Sequence, residues 1–144
     1  MNRIIKTTLA ALAASICISS CEDLIDTGSS GDPRDKLVDT WKVEENPGPF
    51  KSVLEIYWVE IAKHPFDSTR IRIYNFYNVD AEAVAILDGN DLILPEQELK
   101  GGFTVNGTGT VQGSKANEII WTYFVDDGSG EVQSVQAVYT RLTF

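Results

Sequence analysis

The chain has 144 residues, enough for one domain and too few for two of ordinary size. It carries 21 acidic against 12 basic residues, a net charge of −9. That argues against binding nucleic acid, whose phosphates need Lys and Arg, and against electrostatic docking on anionic lipid. A hydrophobic content of 43% excludes both a disordered chain and one that crosses a membrane many times.

The first element is "MNRIIKTTLAALAASICISSC". Arg3 and Lys6 are its only charges, and the apolar run over residues 7–18 is shorter than the ~20 residues of a membrane span. It reads as a secretory signal over residues 1–20. Ile18, Ser19 and Ser20 ahead of Cys21 resemble the lipobox of a bacterial lipoprotein; Ile16 is too bulky for Cys17 to serve. The resemblance implies that Cys21 is lipidated and becomes the new N-terminus, anchoring the chain in a membrane. A CxxxC metal or redox site is the lesser reading, since two thiols make an incomplete ligand set. One acyl chain anchors marginally and two or three anchor stably. Residues 21–32 then form the lipidated Cys and a Gly-, Ser- and Asp-rich tether. Its eleven residues after the Cys reach about 18 Å as a coil. Glu22 and Asp23 after that Cys resemble the surface-export signal of Bacteroidota lipoproteins, and read equally well as the start of a solvated linker.

The domain is expected over residues 33–144. "DPRDKLV" predicts a helical turn, with Asp32 as cap and Pro33 at its first position. "TWKVEE" alternates Trp41 and Val43 against Lys42 and Glu44. Pro47, Gly48 and Pro49 interrupt it, and "KSVLEIYWVEIAK" follows as a β-branched and aromatic strand. After the turn "HPFDS", "TRIRIYNFYNV" places Ile71, Ile73, Asn75 and Tyr77 on one side and Arg70, Arg72, Tyr74 and Phe76 on the other. "AEAVAIL" and "DLILP" flank the hairpin turn "DGN". "GGFTVNGTGTVQ" predicts a bent or bulged strand, and "NEIIWTYFVD" and "EVQSVQAVYTRLTF" flank a second hairpin at "DGSG".

About eight short strands with tight turns and no long helix predict an all-β fold: an antiparallel up-and-down eight-stranded β-barrel, with a β-sandwich as the alternative. Ile119, Trp121, Tyr123 and Val125 form one apolar row, and Val135, Ala137, Tyr139 and Arg141 another. The second row can face inward only if Arg141 finds a partner, because an unpaired buried charge is costly. Trp41 is the natural one. First and last strands adjoin in a closed barrel, and a guanidinium stacks on an indole.

"DKLVDTWKVEE" resembles the lipocalin start, a helical turn leading into G-x-W, with Asp39 in place of the Gly. The lipocalin Trp packs on a basic residue near the end of the barrel, which implies that Trp41 and Arg141 close this one. Together with "IRIYNFYNV", "FTVNGTGTV" and "WTYFVDDGSGEVQSVQAVYTR", the sequence resembles small lipocalin-like lipoproteins of Bacteroidota over most of residues 33–142. That family transfers no catalytic residue.

Nothing in the sequence assembles a catalytic set, a metal site or a cofactor site. His64, the only histidine, lies beside Pro in a turn. Glu55 and Glu60 on one predicted strand face opposite sides, and Glu96 and Glu98 flank a loop after Pro95. "DDGSGE" has the oxygens of a calcium loop without EF-hand spacing, and reads as a turn. The aromatic residues Tyr57, Trp58, Tyr74, Tyr77, Trp121, Tyr123 and Tyr139 supply amphipathic surface. Asn75, Tyr77, Trp121, Tyr123 and Tyr139 are the candidate ligand-binding residues, though the same rings could simply fill the core. Tyr74 and Phe76 beside Arg70 and Arg72 form a candidate outer contact patch.

The expected function is that of an outer-membrane lipoprotein, facing the periplasm or the cell surface, that does no chemistry and binds a small apolar or amphiphilic molecule in the barrel mouth. The alternative is a structural or protein-interaction module of the envelope with a filled barrel and an envelope protein as partner. A cavity would separate the two.

Overall fold

The computed structural model describes residues 31–47 and 53–142. Eight strands follow one another: β1 (Asp39–Pro47), β2 (Glu55–Lys63), β3 (Arg70–Phe76), β4 (Ala81–Asp88), β5 (Asp91–Leu99), β6 (Phe103–Gln112), β7 (Glu118–Asp126) and β8 (Val132–Arg141). Each pairs antiparallel with its neighbours in sequence, and β8 returns to β1, so the sheet closes into a barrel. Closure removes the exposed strand edges that a sandwich would keep. The signal segment, both cysteines and the tether to residue 30 lie outside the described residues.

Closure occurs where the sequence predicts it. Trp41 and Arg141 are register partners on β1 and β8, and the guanidinium carbon stands 5.0 Å from the centre of the Trp41 ring. A desolvated cation–π contact of this kind contributes about 1–2 kcal/mol. The expected inward rows also hold. Ile119, Trp121, Tyr123 and Val125 on β7 and Val135, Ala137 and Tyr139 on β8 are all buried. Across the barrel, β4 turns Ala81, Ala83 and Ala85 inward. Small residues opposite large rings let one narrow cylinder fill without strain.

The barrel has two unlike ends. At one, residues 33–37 form a turn that caps the opening. Asp32 accepts from the Arg34 backbone N–H at 3.0 Å, the predicted cap, and also from the Arg34 guanidinium. These hydrogen bonds hold the Asp32 carboxyl well below the usual range. Arg34 is buried and donates through Nη1 to the carbonyls of His64, Asp67 and Arg70 at 2.8–3.1 Å. Leu37 is fully buried, and its carbonyl accepts from Trp41 Nε1 at 2.9 Å. Arg141 Nη2 donates to the Lys36 carbonyl. His64 thus serves this end through its backbone.

Three local expectations are corrected. On β3 the alternation breaks at Asn75, whose φ of 60° lies in the left-handed region and shifts the register between Tyr74 and Phe76. Phe76 therefore turns into the core, fully buried, and leaves the outer patch. Arg72 and Tyr74 remain outside, stacked at 5.0 Å, with Arg72 bridged to Glu82. On β5 the strand does not end at Pro95 but runs to Leu99, with Glu96 and Glu98 on it. Pro95 sits in a bulge between Leu94 and Gln97, where a missing N–H is tolerated. The Gln97 side chain then serves Val84 of β4, accepting from its N–H and donating to its carbonyl, both at 2.8 Å. An amide side chain replaces a rung of the ladder. Finally, β6 pairs with β7 over nine successive partners without a bulge. Its glycines answer to close approach instead. A Cβ on Gly109 would lie 2.7 Å from the Trp121 ring, and one on Gly107 would lie 2.4 Å from the Thr122 carbonyl oxygen.

Candidate functional site: the barrel mouth and the carboxylate beneath it

The end opposite the cap carries the turns from β3 to β4, β5 to β6 and β7 to β8. A cleft of about 400 Å³ opens there, lined by Glu55, Tyr77, Asn78, Val79, Phe103, Val125, Asp127 and Gln133. Tyr77 is placed by the same irregular backbone that displaces Asn75. Tyr77, Asn78 and Asp80 all have φ between 52° and 57°, so the chain curls over the rim. Tyr77 Oη donates to Gln133 Oε1 at 3.0 Å, which ties the β3–β4 turn to β8.

A continuous run of rings leads from the mouth into the core. Phe103 meets Tyr77 edge-on with centroids 5.9 Å apart, and Tyr77 meets Tyr123 at 6.3 Å. Tyr123 packs on Phe76 at 4.9 Å, Phe76 on Trp121 at 6.4 Å, and Trp121 on Tyr139 at 5.9 Å. Such offset and edge-on geometry is favourable for each pair. Four of the five predicted ligand residues, Tyr77, Trp121, Tyr123 and Tyr139, thus belong to one cluster. Of the five, only Tyr77 lines the cleft. Trp121, Tyr123 and Tyr139 are fully buried and fill the core. Asn75 is not in the cleft: its amide donates to the Trp58 carbonyl at 2.8 Å and accepts from the Asp80 N–H at 3.1 Å, bracing the turn. Trp58 itself is on the outside, 46% exposed.

Beneath the cleft lies a residue the sequence reading passed over. Glu45 is 1% exposed, inside the barrel. Its Oε2 accepts from Tyr57 Oη at 2.5 Å and from Tyr123 Oη at 3.0 Å. A buried carboxylate is tolerable only when hydrogen-bonded, and charge-assisted bonds from two phenols do this. The signal was present in "TWKVEE": Glu45 continues the inward row of Trp41 and Val43. Burial pushes the phenols of Tyr57, Tyr123 and Tyr139 above their usual range, and the Glu45 charge adds to it. Burial and the carboxylates of Glu45, Glu55 and Asp127 do the same to Tyr77. Trp121 Nε1 is buried without a hydrogen-bond partner, and the Tyr139 hydroxyl faces that of Tyr57.

The remaining candidates are structural. Asp126 and Asp127 accept from the N–H groups of Gly128 and Ser129 at 2.8 and 3.0 Å, a pair of side-chain-capped turns. Among the described residues no group of three or more His, Cys, Asp and Glu is placed to hold a metal ion. Glu55 and Glu60 lie on opposite faces of β2, as the alternation requires.

No protein-family profile matches the chain, and no curated protein does. Solved β-barrels do. A redesigned β-barrel, mFAP1, solved bound to DFHBI, superposes with a TM-score of 0.57 at 12% identity, over 77% of this chain and all of that one. Another redesigned barrel gives 0.53 at 10% identity over 80% of this chain and 99% of its own. A fluorescence-activating β-barrel designed de novo gives 0.52 at 13% identity, over 78% of this chain and 99% of its own. At these identities the likeness is one of fold: this chain and its solved neighbours are closed β-barrels.

Proposed function

We propose that this chain is a lipid-anchored outer-membrane lipoprotein whose barrel binds a small amphiphilic molecule at its open mouth and performs no chemistry. The observation that carries this reading is the inequality of the two ends. One is sealed by Arg34 and Leu37, and the other holds a cleft walled by the rings of Tyr77 and Phe103 and the side chains of Val79 and Val125. Glu55, Asn78, Asp127 and Gln133 complete the lining, and polar groups converging beside rings and aliphatic side chains in a concavity suit an amphiphilic small molecule. Because Trp121, Tyr123 and Tyr139 occupy the interior, the ligand sits in the rim and does not enter the cylinder. That a barrel of this fold was solved with DFHBI bound supports the capacity of the architecture.

A second reading, an envelope interaction module, draws support from the packed interior and from a groove of about 320 Å³ on the outer wall over Leu54, Ile120 and Val138. Native mass spectrometry of the full chain purified from its own cells tests the first. A retained small molecule is expected, lost in Tyr77→Ala; a bare mass overturns it. Palmitate labelling tests the anchor: label is expected on the parent and absent from Cys21→Ala, and equal labelling of the two refutes it.

A further inference from the structure

The wall of the cleft holds hydrogen-bond donors and acceptors side by side. Gln133 accepts from Tyr77 through Oε1, which fixes its amide, and its Nε2 meets no acceptor among the described residues. The Asn78 side-chain amide has no partner there either, and the half-buried Glu55 carboxylate meets neither a donor nor a cation among them. Asp127 in the same wall already accepts from the Ser129 N–H. Beside these groups the rings of Tyr77 and Phe103 meet at 67° and make an apolar corner, and Val79 and Val125 also line the cleft. An ammonium head only donates and leaves the Gln133 N–H groups unserved. A carboxylate or phosphate head only accepts and leaves Glu55 unserved. A hydroxyl does both, and several hydroxyls on one small ring can serve amides and a carboxylate together.

Resting on the reading of the mouth as a site for an amphiphile, we propose that the bound molecule carries a neutral polyhydroxyl head, a monosaccharide joined to an apolar tail. Its hydroxyls accept from the amides of Gln133 and Asn78 and donate to Glu55. Its C–H face lies in the corner of Tyr77 and Phe103, where the negative ring faces attract polarised C–H groups. The tail lies on Val79 and Val125. The volume of about 400 Å³ falls within the roughly 300–1,000 Å³ of small-molecule pockets. Gln133 sets the specificity, because a head without hydroxyls displaces water from its amide and returns no hydrogen bond.

Calorimetric titration of the full chain with octyl β-glucoside, octanol and methyl β-glucoside, all kept below micelle-forming concentrations, tests this. Octyl glucoside is expected to bind at least about tenfold tighter than octanol, and methyl glucoside more weakly than octyl glucoside. In Gln133→Leu the preference for octyl glucoside over octanol should fall at least about threefold, with the strand signal of circular dichroism unchanged. Asn78→Gly, which suits the backbone φ of 56°, should lower it in the same direction. If Gln133→Leu does not fold, Asn78→Gly carries the test alone. Equal binding of octyl glucoside and octanol, or a preference untouched in the folded variants, overturns the sugar head and leaves the mouth reading standing. Methyl glucoside as tight as octyl glucoside overturns the tail and makes the ligand a free sugar. Binding of none of the three overturns the mouth reading and this inference with it.

Discussion

Raising the pH through about 10 should unfold this barrel steeply, because three of its five tyrosines are buried phenols. Tyr57 is 5% exposed, and Tyr123 and Tyr139 are fully buried. Burial first, with the Glu45 carboxylate adding to it, holds all three above their ordinary range. In the unfolded chain they ionise near pH 10. Above that pH the unfolded state loses protons that the folded state keeps. The stability these groups contribute is therefore whole below about pH 10 and is lost as the pH rises beyond it. Each phenol withdraws about 1.4 kcal/mol per pH unit, so the three together remove about 4 kcal/mol by pH 11. That is a large share of the ~5–15 kcal/mol of an ordinary domain. The assay pairs phenolate absorbance with far-ultraviolet circular dichroism along one alkaline titration. The sheltered phenols should ionise together with loss of the strand signal, and Tyr57→Phe should reduce the loss of stability at pH 11 by about 1.4 kcal/mol. Complete ionisation by about pH 11 with the strand signal intact would refute the reasoning.

Other consequences are local. Gly109→Ala should cost about 1–3 kcal/mol in urea unfolding, and much less in a Trp121→Leu background where the ring is gone; equal costs in both backgrounds would contradict the assigned clash. Gln97→Ala leaves the Val84 N–H and carbonyl unserved, so hydrogen exchange at the Val84 amide should accelerate while the amides of β7 keep their protection. Asn75→Gly should be nearly neutral and Asn75→Val should cost at least about 1 kcal/mol, because only the glycine adopts φ of 60° without strain. Arg141→Lys should lower stability by about 1 kcal/mol despite keeping the charge, since a point cation cannot both cover the Trp41 ring and reach the Lys36 carbonyl; an unchanged midpoint would deny the stacked geometry.

The architecture was legible because it is written in period two. The rows of β7 and β8 and the pairing of Trp41 with Arg141 needed only alternation and the requirement that a buried cation have a partner. Legibility failed where one residue changes parity. A left-handed Asn75 exchanges the roles of Asn75 and Phe76, and a bulge at Pro95 carries β5 beyond its apparent end. Neither conformation is encoded by hydrophobicity. The glycines of β6 were recognised as special, but the close approach they permit was not legible, because the ring they admit comes from another strand. Glu45 was hidden by its charge: strict alternation assigns it inward, and the habit of placing carboxylates in water overrode that. The site itself was half legible. Tyr77 could be picked from the sequence, while Phe103, Val125 and Gln133 reach the rim only through the curvature of the closed sheet.

The grip of Arg34 on three carbonyls of the β2–β3 turn has a mechanical meaning. A pull applied to the chain at Asp32 meets this clamp before it reaches β1, and beyond the clamp the force runs along a strand hydrogen-bonded on both sides. Rungs loaded lengthwise in shear yield together, whereas rungs peeled from an end open one at a time.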